Sequence, residues 1–160
     1  MTRTVEFKVV EFAVIRAPAE SVRRFVADLK NLIYWDASTR NVRLVRAADS
    51  TPGSPDVYDV SVDFAPFGGC CLCLLTSGAT HLRYEVAQPV DRTPLVMKGV
   101  GSGVRTQETY TFRSVGPHTT ELTYVVRVEL TGWRTSLAKC IERRTRDLAR
   151  AALHRLGRLW

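Results

Sequence analysis

Long hydrophobic runs are missing from this sequence, although 45% of its 160 residues are hydrophobic. A membrane-spanning helix needs about 20 consecutive apolar residues, and no stretch of that length occurs. The opening stretch MTRTVEFKVVEF alternates charged and apolar side chains, so it lacks the apolar core of a secretory signal. Thr2 also stands where N-myristoylation requires glycine. We therefore expect the protein to be cytoplasmic, with its cysteines reduced.

Residue patterns for metal or nucleotide binding are missing as well. Cys70, Cys71 and Cys73 form a CCxC cluster, but the second pair of ligands that a zinc site needs is absent. No two of the three histidines have metal-ligand spacing. The glycine-rich stretch GVGSG at 99–103 is not followed by a helix, so it is typical of a hairpin turn. We expect no metal and no cofactor.

Basic charge is concentrated in the last part of the chain. The net charge is +7, of which residues 133–160 contribute +6 with eight basic and two acidic side chains. This surplus could bind an anionic membrane surface. Aromatic residues are not interleaved with the basic ones, so we expect no nucleic-acid partner.

The order of periodic segments predicts one α+β domain over residues 1–160. Residues 5–16 are typical of a strand, with a bulge where the alternation slips at Val9 and Val10. Pro18 suits the start of a first helix, and NLIYWDAS forms a short second one. Strand patterns separated by short turns follow, which favours an antiparallel meander; they lie at 41–47, 56–64, 70–76, 81–88, 95–100, 104–114 and 119–130.

The last segment predicts a long helix that covers the apolar face of this sheet. Apolar or neutral residues recur every three or four positions over about 25 residues, at Leu137, Ile141, Thr145, Leu148, Ala152, Leu156 and Leu159. The opposite face is basic and carries Lys139, Arg143, Arg146 and Arg150. Arg144 and Arg155 lie at the margin of the apolar stripe. They are candidates for binding an acidic ligand group, or they extend their stems along apolar surface with the charge in water.

Three stretches resemble known sequence features of one superfamily. They are VIRAPAESVRRFVADLKNLIYWDAS, YEVAQPVDRTPLVMKGVGSG and QETYTFRSVGPHTTELTY. Nearly the whole chain resembles the SRPBCC superfamily, also called START-like or birch-pollen-allergen-like, which includes polyketide cyclases/dehydrases and lipid transport proteins. The resemblance implies a helix-grip fold. In that fold a curved antiparallel sheet of about seven strands surrounds a long C-terminal helix, and two short helices follow the first strand.

The resemblance also implies an apolar ligand cavity between the sheet and the long helix. The face assignments place the following candidates on it: Tyr58, Phe64, Tyr84, Met97, Glu108, Tyr110, Phe112, Tyr124, Leu137, Ile141 and Leu148. A filled core without a cavity is the alternative. If the protein is an enzyme, Glu108 and Tyr110 are the catalytic candidates, because burial raises the pKa of a carboxylate towards the range that acid–base catalysis needs. Otherwise Glu108 lies in water or pairs with an arginine.

The stretch FAPFGGCCLCLL at 64–75 is unusually apolar for a connection between strands. It could form an edge strand on the domain body, a dimer contact, or an apolar lip that touches membrane or lipid. The residues of that lip would be Phe64, Phe67, Leu72, Leu74 and Leu75.

These features favour a binding protein for a hydrophobic small molecule or lipid, which it could carry between membranes. A polyketide cyclase or aromatase-like enzyme using the same cavity is the first alternative. A module that binds a protein partner is the second, because the fold supports that function too.

Overall fold

A seven-stranded antiparallel sheet forms most of the protein. The structure is a computed structural model, and it describes residues 3–49, 51, 54–63, 80–87 and 93–160. The strands are β1 (Thr4–Ile15), β2 (Thr39–Arg46), β3 (Asp56–Val62), β4 (Thr80–Val86), β5 (Leu95–Gly101), β6 (Val104–Gly116) and β7 (Thr119–Thr131). They lie in the order β1-β7-β6-β5-β4-β3-β2. Sequential neighbours therefore pair from β2 to β7, and β1 returns to pair with β7.

Strand β1 keeps an unbroken register with β7, from Thr4 opposite Thr131 to Ile15 opposite Thr120. The predicted bulge at Val9 and Val10 is therefore wrong. The alternation slips in the sequence because the outward positions of the second half of β1 are apolar. Phe12 and Val14 are each 67% exposed.

Two short helices follow β1, as predicted. Helix α1 (Ala19–Ala27) starts directly after Pro18 and buries Val22 and Val26. A 3-10 turn (Leu29–Asn31) leads into α2 (Leu32–Trp35), whose last residue is buried. The Asn31 side chain donates a hydrogen bond of 2.9 Å to the carbonyl of Phe25, which joins the two helices at this corner.

The long C-terminal helix is shorter than predicted. A 3-10 segment (Gly132–Leu137) precedes α3 (Ala138–Gly157), so α3 has 20 residues rather than about 25. Gly132 has a positive φ of 66° at the junction between β7 and this segment, a conformation that glycine adopts without strain. The apolar face of α3 packs mainly against β1 and buries Leu148, Ala149, Ala152, Leu153 and Leu156.

This arrangement confirms the predicted helix-grip fold. The main core lies between the sheet, α1, α2 and the second half of α3. In the described part of the chain, no helix is long and apolar enough to cross a membrane. The predicted strand at 70–76 and the predicted lip (Phe64, Phe67, Leu72, Leu74 and Leu75) lie outside the described residues.

Candidate functional site

A cavity of about 120 Å³ lies between the sheet and the helices, and it is partly open. Its sheet wall consists of Val60, Val62, Leu82, Tyr84, Met97, Val104, Thr106, Glu108, Tyr110, Tyr124, Val126 and Val128. The opposite wall is formed by residues between α1 and the start of β2 and by residues of α3, namely Leu29, Leu32, Trp35, Asp36, Ser38, Thr39, Ile141, Thr145, Leu148, Ala149, Ala152 and Leu153. Most of the wall is therefore aliphatic or aromatic.

Glu108 on β6 accepts hydrogen bonds from three tyrosine hydroxyls. The Tyr84 hydroxyl donates to Oε1 at 2.7 Å. The hydroxyls of Tyr110 and Tyr124 both donate to Oε2, at 2.8 Å and 3.1 Å. We call Glu108 and these three tyrosines the Glu108 cluster. It is the main polar feature of a mostly apolar wall.

Strand register brings the Glu108 cluster together. Glu108 and Tyr110 are two residues apart on β6, so their side chains point to the same face of the sheet. Tyr124 lies directly opposite Tyr110 on β7, and their rings are 4.8 Å apart between centroids. Tyr84 comes from β4, on the far side of β5.

Gly99 on β5 makes room for the Tyr84 side chain. Gly99 lies opposite Tyr84 on β4 and opposite Thr106 on β6. A Cβ at this position would stand 2.9 Å from Tyr84 Cζ and 2.5 Å from Thr106 Oγ1, which is too close for either atom. The missing side chain of Gly99 therefore allows the Tyr84 ring to reach across β5 towards Glu108.

Burial and hydrogen bonding have opposite effects on the pKa of Glu108. Removal from water raises the pKa of the Glu108 carboxyl above its ordinary value of 4.5, while the three tyrosine donors lower it, and the net direction is upward. Part of the Glu108 side chain is accessible although it lies deep in the protein, because it faces the cavity. Burial, and then the Glu108 charge, raise the pKa values of Tyr84, Tyr110 and Tyr124 well above their usual range.

The hydrogen bonds of the Glu108 cluster accommodate both protonation states of the carboxyl. Three hydroxyl protons occupy the three observed hydrogen bonds. A protonated Glu108 would add a fourth proton, which the unused position on Oε1 can carry while the three hydroxyls keep their bonds. The cluster can thus present an acceptor to a ligand when ionised and a donor when neutral, which is what acid–base exchange with a bound molecule requires.

Some cavity residues were not anticipated from the sequence. Trp35 packs edge-on against Tyr110 with ring centroids 6.5 Å apart. Asp36 follows it and accepts hydrogen bonds from the Ser38 backbone N–H and the Ser38 and Thr39 hydroxyls. The WDAS stretch carries a signal for this, because Asp two residues before Ser is typical of a side-chain-capped turn.

The structure brings many of the sequence-predicted cavity residues together. Those on the cavity wall are Tyr84, Met97, Glu108, Tyr110, Tyr124, Ile141 and Leu148. Tyr58 is buried in the core beside the cavity wall but does not line it, and Phe112 packs on the edge of the same core. Leu137 falls in the 3-10 segment before α3, so it is not on the helical stripe that faces the cavity. Phe64 lies outside the described residues.

Other candidate groups from the sequence do not take part in this site where the structure describes them. Among the described residues, no group of three His, Cys, Asp or Glu side chains could hold a metal ion. Neither Arg144 nor Arg155 lines the cavity within the described part of the chain.

Comparison with known proteins places the chain in a family. The family model described as "Polyketide cyclase / dehydrase and lipid transport" matches residues 6–159. No curated protein matches the chain significantly.

Solved structures share the fold at low sequence identity. The protein TTHA0849 from Thermus thermophilus is 17% identical, with 95% of each chain covered and a TM-score of 0.73. The Zhui aromatase/cyclase from a Streptomyces species is 16% identical, with 96% of this chain and 95% of that chain covered and a TM-score of 0.69. A START superfamily protein from Mycobacterium smegmatis is 15% identical, with 93% of this chain and 98% of that chain covered and a TM-score of 0.65. The chain thus belongs to the polyketide cyclase/dehydrase and lipid transport family.

Proposed function

We propose that this protein binds a small hydrophobic molecule in the cavity and orients its polar end at the Glu108 cluster. The observation that carries the proposal is a mostly apolar cavity with one carboxylate held by three hydroxyls. Burial of the ligand's apolar surface would supply the affinity, at about 25 cal/mol per Å² before ordering costs. A few convergent polar groups in an apolar pocket are the usual means of fixing a ligand's orientation.

The cavity volume favours a compact ligand over a two-chain lipid. A cavity of ~150 Å³ lined by aliphatic and aromatic side chains holds one benzene molecule. The 120 Å³ cavity of this protein therefore suits a single ring or a short alkyl chain. Because the cavity is partly open, a larger molecule could place one end inside and extend the rest outwards. Delivery of such a molecule to a membrane is the finer form of this proposal.

A cavity-filling variant tests the proposal. Ala152 lines the cavity from α3, whereas its neighbour Ala151 does not. Ala152→Leu should reduce the uptake of 2-phenylethanol, measured by calorimetry, at least about tenfold, since the added methylenes occupy the ligand's space. Ala151→Leu is the matched control on the same helix and should bind as the wild type does. Equal binding by both variants, with helix content and melting temperature retained, would count against the cavity as the binding site.

Acid–base catalysis on a polyketide-like chain is the second candidate function. The position of Glu108 favours it, because the carboxylate faces the cavity and burial raises its pKa. An enzyme of this kind should convert a reactive poly-β-ketone to a cyclised product detectable by mass spectrometry. Glu108→Gln should abolish that conversion while the protein still melts cooperatively. Equal rates with wild-type protein, with Glu108→Gln and without protein would eliminate this candidate.

A further inference from the structure

The charged groups on the cavity wall have one sign. Among the described lining residues, Asp36 and Glu108 are acidic, and none is lysine, arginine or histidine. The chain as a whole has a net charge of +7, so this composition opposes the overall balance. The stretches outside the described residues contain one basic side chain, Arg92, and one acidic side chain, Asp91, and residues 64–79 contain no charged side chain at all. A negatively charged ligand would therefore meet carboxylates without a described cation to pair with.

Glu108 retains capacity for a further hydrogen-bond donor. A carboxylate has about four acceptor positions on its two oxygens. Oε2 of Glu108 accepts from Tyr110 and Tyr124, whereas Oε1 accepts from Tyr84 alone among the described residues. One position on Oε1 is thus open to a donor from the cavity.

Asp36 differs from Glu108 in this respect. Its Oδ1 accepts from the backbone N–H and the hydroxyl of Ser38, and its Oδ2 accepts from the Thr39 hydroxyl. These partners lie within three residues along the chain, so Asp36 fixes its own turn. It still adds negative potential to the cavity, because its charge raises the pKa of Glu108 and of Tyr84.

Aromatic side chains line the cavity together with Glu108. Tyr84, Tyr110, Tyr124 and Trp35 all line the cavity. The negative face of an aromatic ring attracts a cation within about 6 Å of its centroid, and the attraction is stronger where water is excluded. A carboxylate with aromatic neighbours is a combination that suits an ammonium group. The Trp35 indole Nε1 on the same wall has no hydrogen-bond partner among the described residues, but it is neutral and supplies no positive charge for a carboxylate or phosphate.

We propose that the ligand of this cavity is a hydrophobic amine, whose protonated nitrogen donates a hydrogen bond to Oε1 of Glu108. This inference rests on the proposed binding function and names the chemical class of the ligand. The apolar body of the molecule packs against the aliphatic wall formed by residues such as Met97, Leu148 and Leu153. The ammonium group completes the hydrogen bonding of Glu108 and compensates the buried charge.

A matched series of three probes tests the inference with the wild-type protein. 2-Phenylethylamine, 2-phenylethanol and phenylacetate have similar size and differ in the charge of the polar end. At about pH 7.4 a primary alkylamine is protonated, as the lysine side chain is. In calorimetric titrations we expect the amine to bind about tenfold more tightly than the alcohol, because the ammonium group adds a charge–charge attraction to the Glu108 carboxylate that the neutral hydroxyl lacks. Phenylacetate should bind most weakly.

Two variants locate the source of the preference. Glu108→Gln should reduce the ratio of amine to alcohol affinity from about tenfold to about twofold or less. Glu85→Gln is the control, since Glu85 is an exposed acid on β4 next to Tyr84, outside the described cavity wall. This control removes the same formal charge and should keep the tenfold ratio.

Each outcome bears on one of the two proposals. Alcohol binding equal to or tighter than amine binding, or tightest binding of phenylacetate, overturns the amine inference and leaves the cavity-binding proposal standing. A tenfold amine preference that persists in Glu108→Gln also overturns it. Failure of all three probes to bind overturns both proposals. If Glu108→Gln does not fold, the wild-type series alone still decides.

Discussion

Single Tyr→Phe substitutions in the Glu108 cluster should lower the free energy of unfolding by different amounts, with Tyr84→Phe losing more than Tyr124→Phe. Each removes one hydroxyl and keeps the ring, so packing is nearly unchanged. Tyr84 is the only described donor to Oε1, at 2.7 Å, whereas Tyr124 shares Oε2 with Tyr110 and donates at 3.1 Å. Loss of the Tyr84 hydroxyl leaves Oε1 without a donor among the described residues. Loss of the Tyr124 hydroxyl leaves Oε2 with one.

The magnitudes follow from the strength of a hydrogen bond to a charged group. Tyr84→Phe should lower the free energy of unfolding by about 1.5–3 kcal/mol, and Tyr124→Phe by about 0.5–1.5 kcal/mol. Both costs should grow with pH. Each donor lowers the pKa of Glu108, so its removal raises that pKa further, and stability is then lost as pH rises through the raised value.

Urea unfolding at about pH 5 and about pH 8, followed by circular dichroism, measures both effects. Tyr58→Phe is the matched control. Tyr58 is buried on β3 directly opposite Tyr84, and burial raises the pKa of its hydroxyl to about 12, so it does not titrate in this range. Its cost should be the same at both pH values. A larger cost for Tyr124→Phe than for Tyr84→Phe, or pH-independent costs for both, would refute the geometry described for the Glu108 cluster.

Three further predictions concern the same fold. Gly99→Ala should lower the free energy of unfolding in the same urea assay by about 1–3 kcal/mol, because the new methyl group meets Tyr84 and Thr106. Gly116→Ala is the control and should be nearly neutral, because a Cβ there would stand 3.8 Å from its nearest neighbour, Thr119. The stability of the wild type relative to Glu108→Gln should be greatest below the ordinary glutamate pKa of 4.5 and should fall as pH rises through the raised pKa of Glu108. Thermal melts of both proteins across pH measure this difference in stability. A difference that stays constant with pH would be inconsistent with the raised pKa. If the basic face of α3 binds phosphatidylserine vesicles, co-sedimentation with them should decrease with added salt and in the double variant Lys139→Gln, Arg143→Gln. Co-sedimentation that neither change affects would contradict membrane binding through this face.

Much of the fold follows from periodicity. The alternation along β6 puts Glu108 and Tyr110 on one face, and the three- and four-residue spacing of α3 puts Leu148 and Ala152 on the covered side. These local patterns predict the buried positions correctly because each element buries one face. The β1 bulge was wrong because Phe12 and Val14 are apolar but exposed, and periodicity alone does not separate such residues from core residues.

The cavity wall was harder to predict, because it depends on distances between elements. Tyr58 and Tyr84 are both buried and lie opposite each other in the sheet, yet only Tyr84 lines the cavity. Tyr84 also depends on Gly99, because a side chain at that position would meet the Tyr84 ring. The role of Trp35 and Asp36 depends on how the α1–α2 corner lies over the sheet, a placement that no single stretch of sequence specifies.

Methionine methyl NMR tests the central claim most directly. The chain has two methionines, and Met97 is a buried residue of the cavity wall. In protein labelled with carbon-13 at the methionine methyl groups, Met97→Leu identifies its signal. Titration with 2-phenylethylamine should shift the Met97 signal in a saturable way. Saturable binding by calorimetry with an unmoved Met97 signal would contradict a ligand site in this cavity.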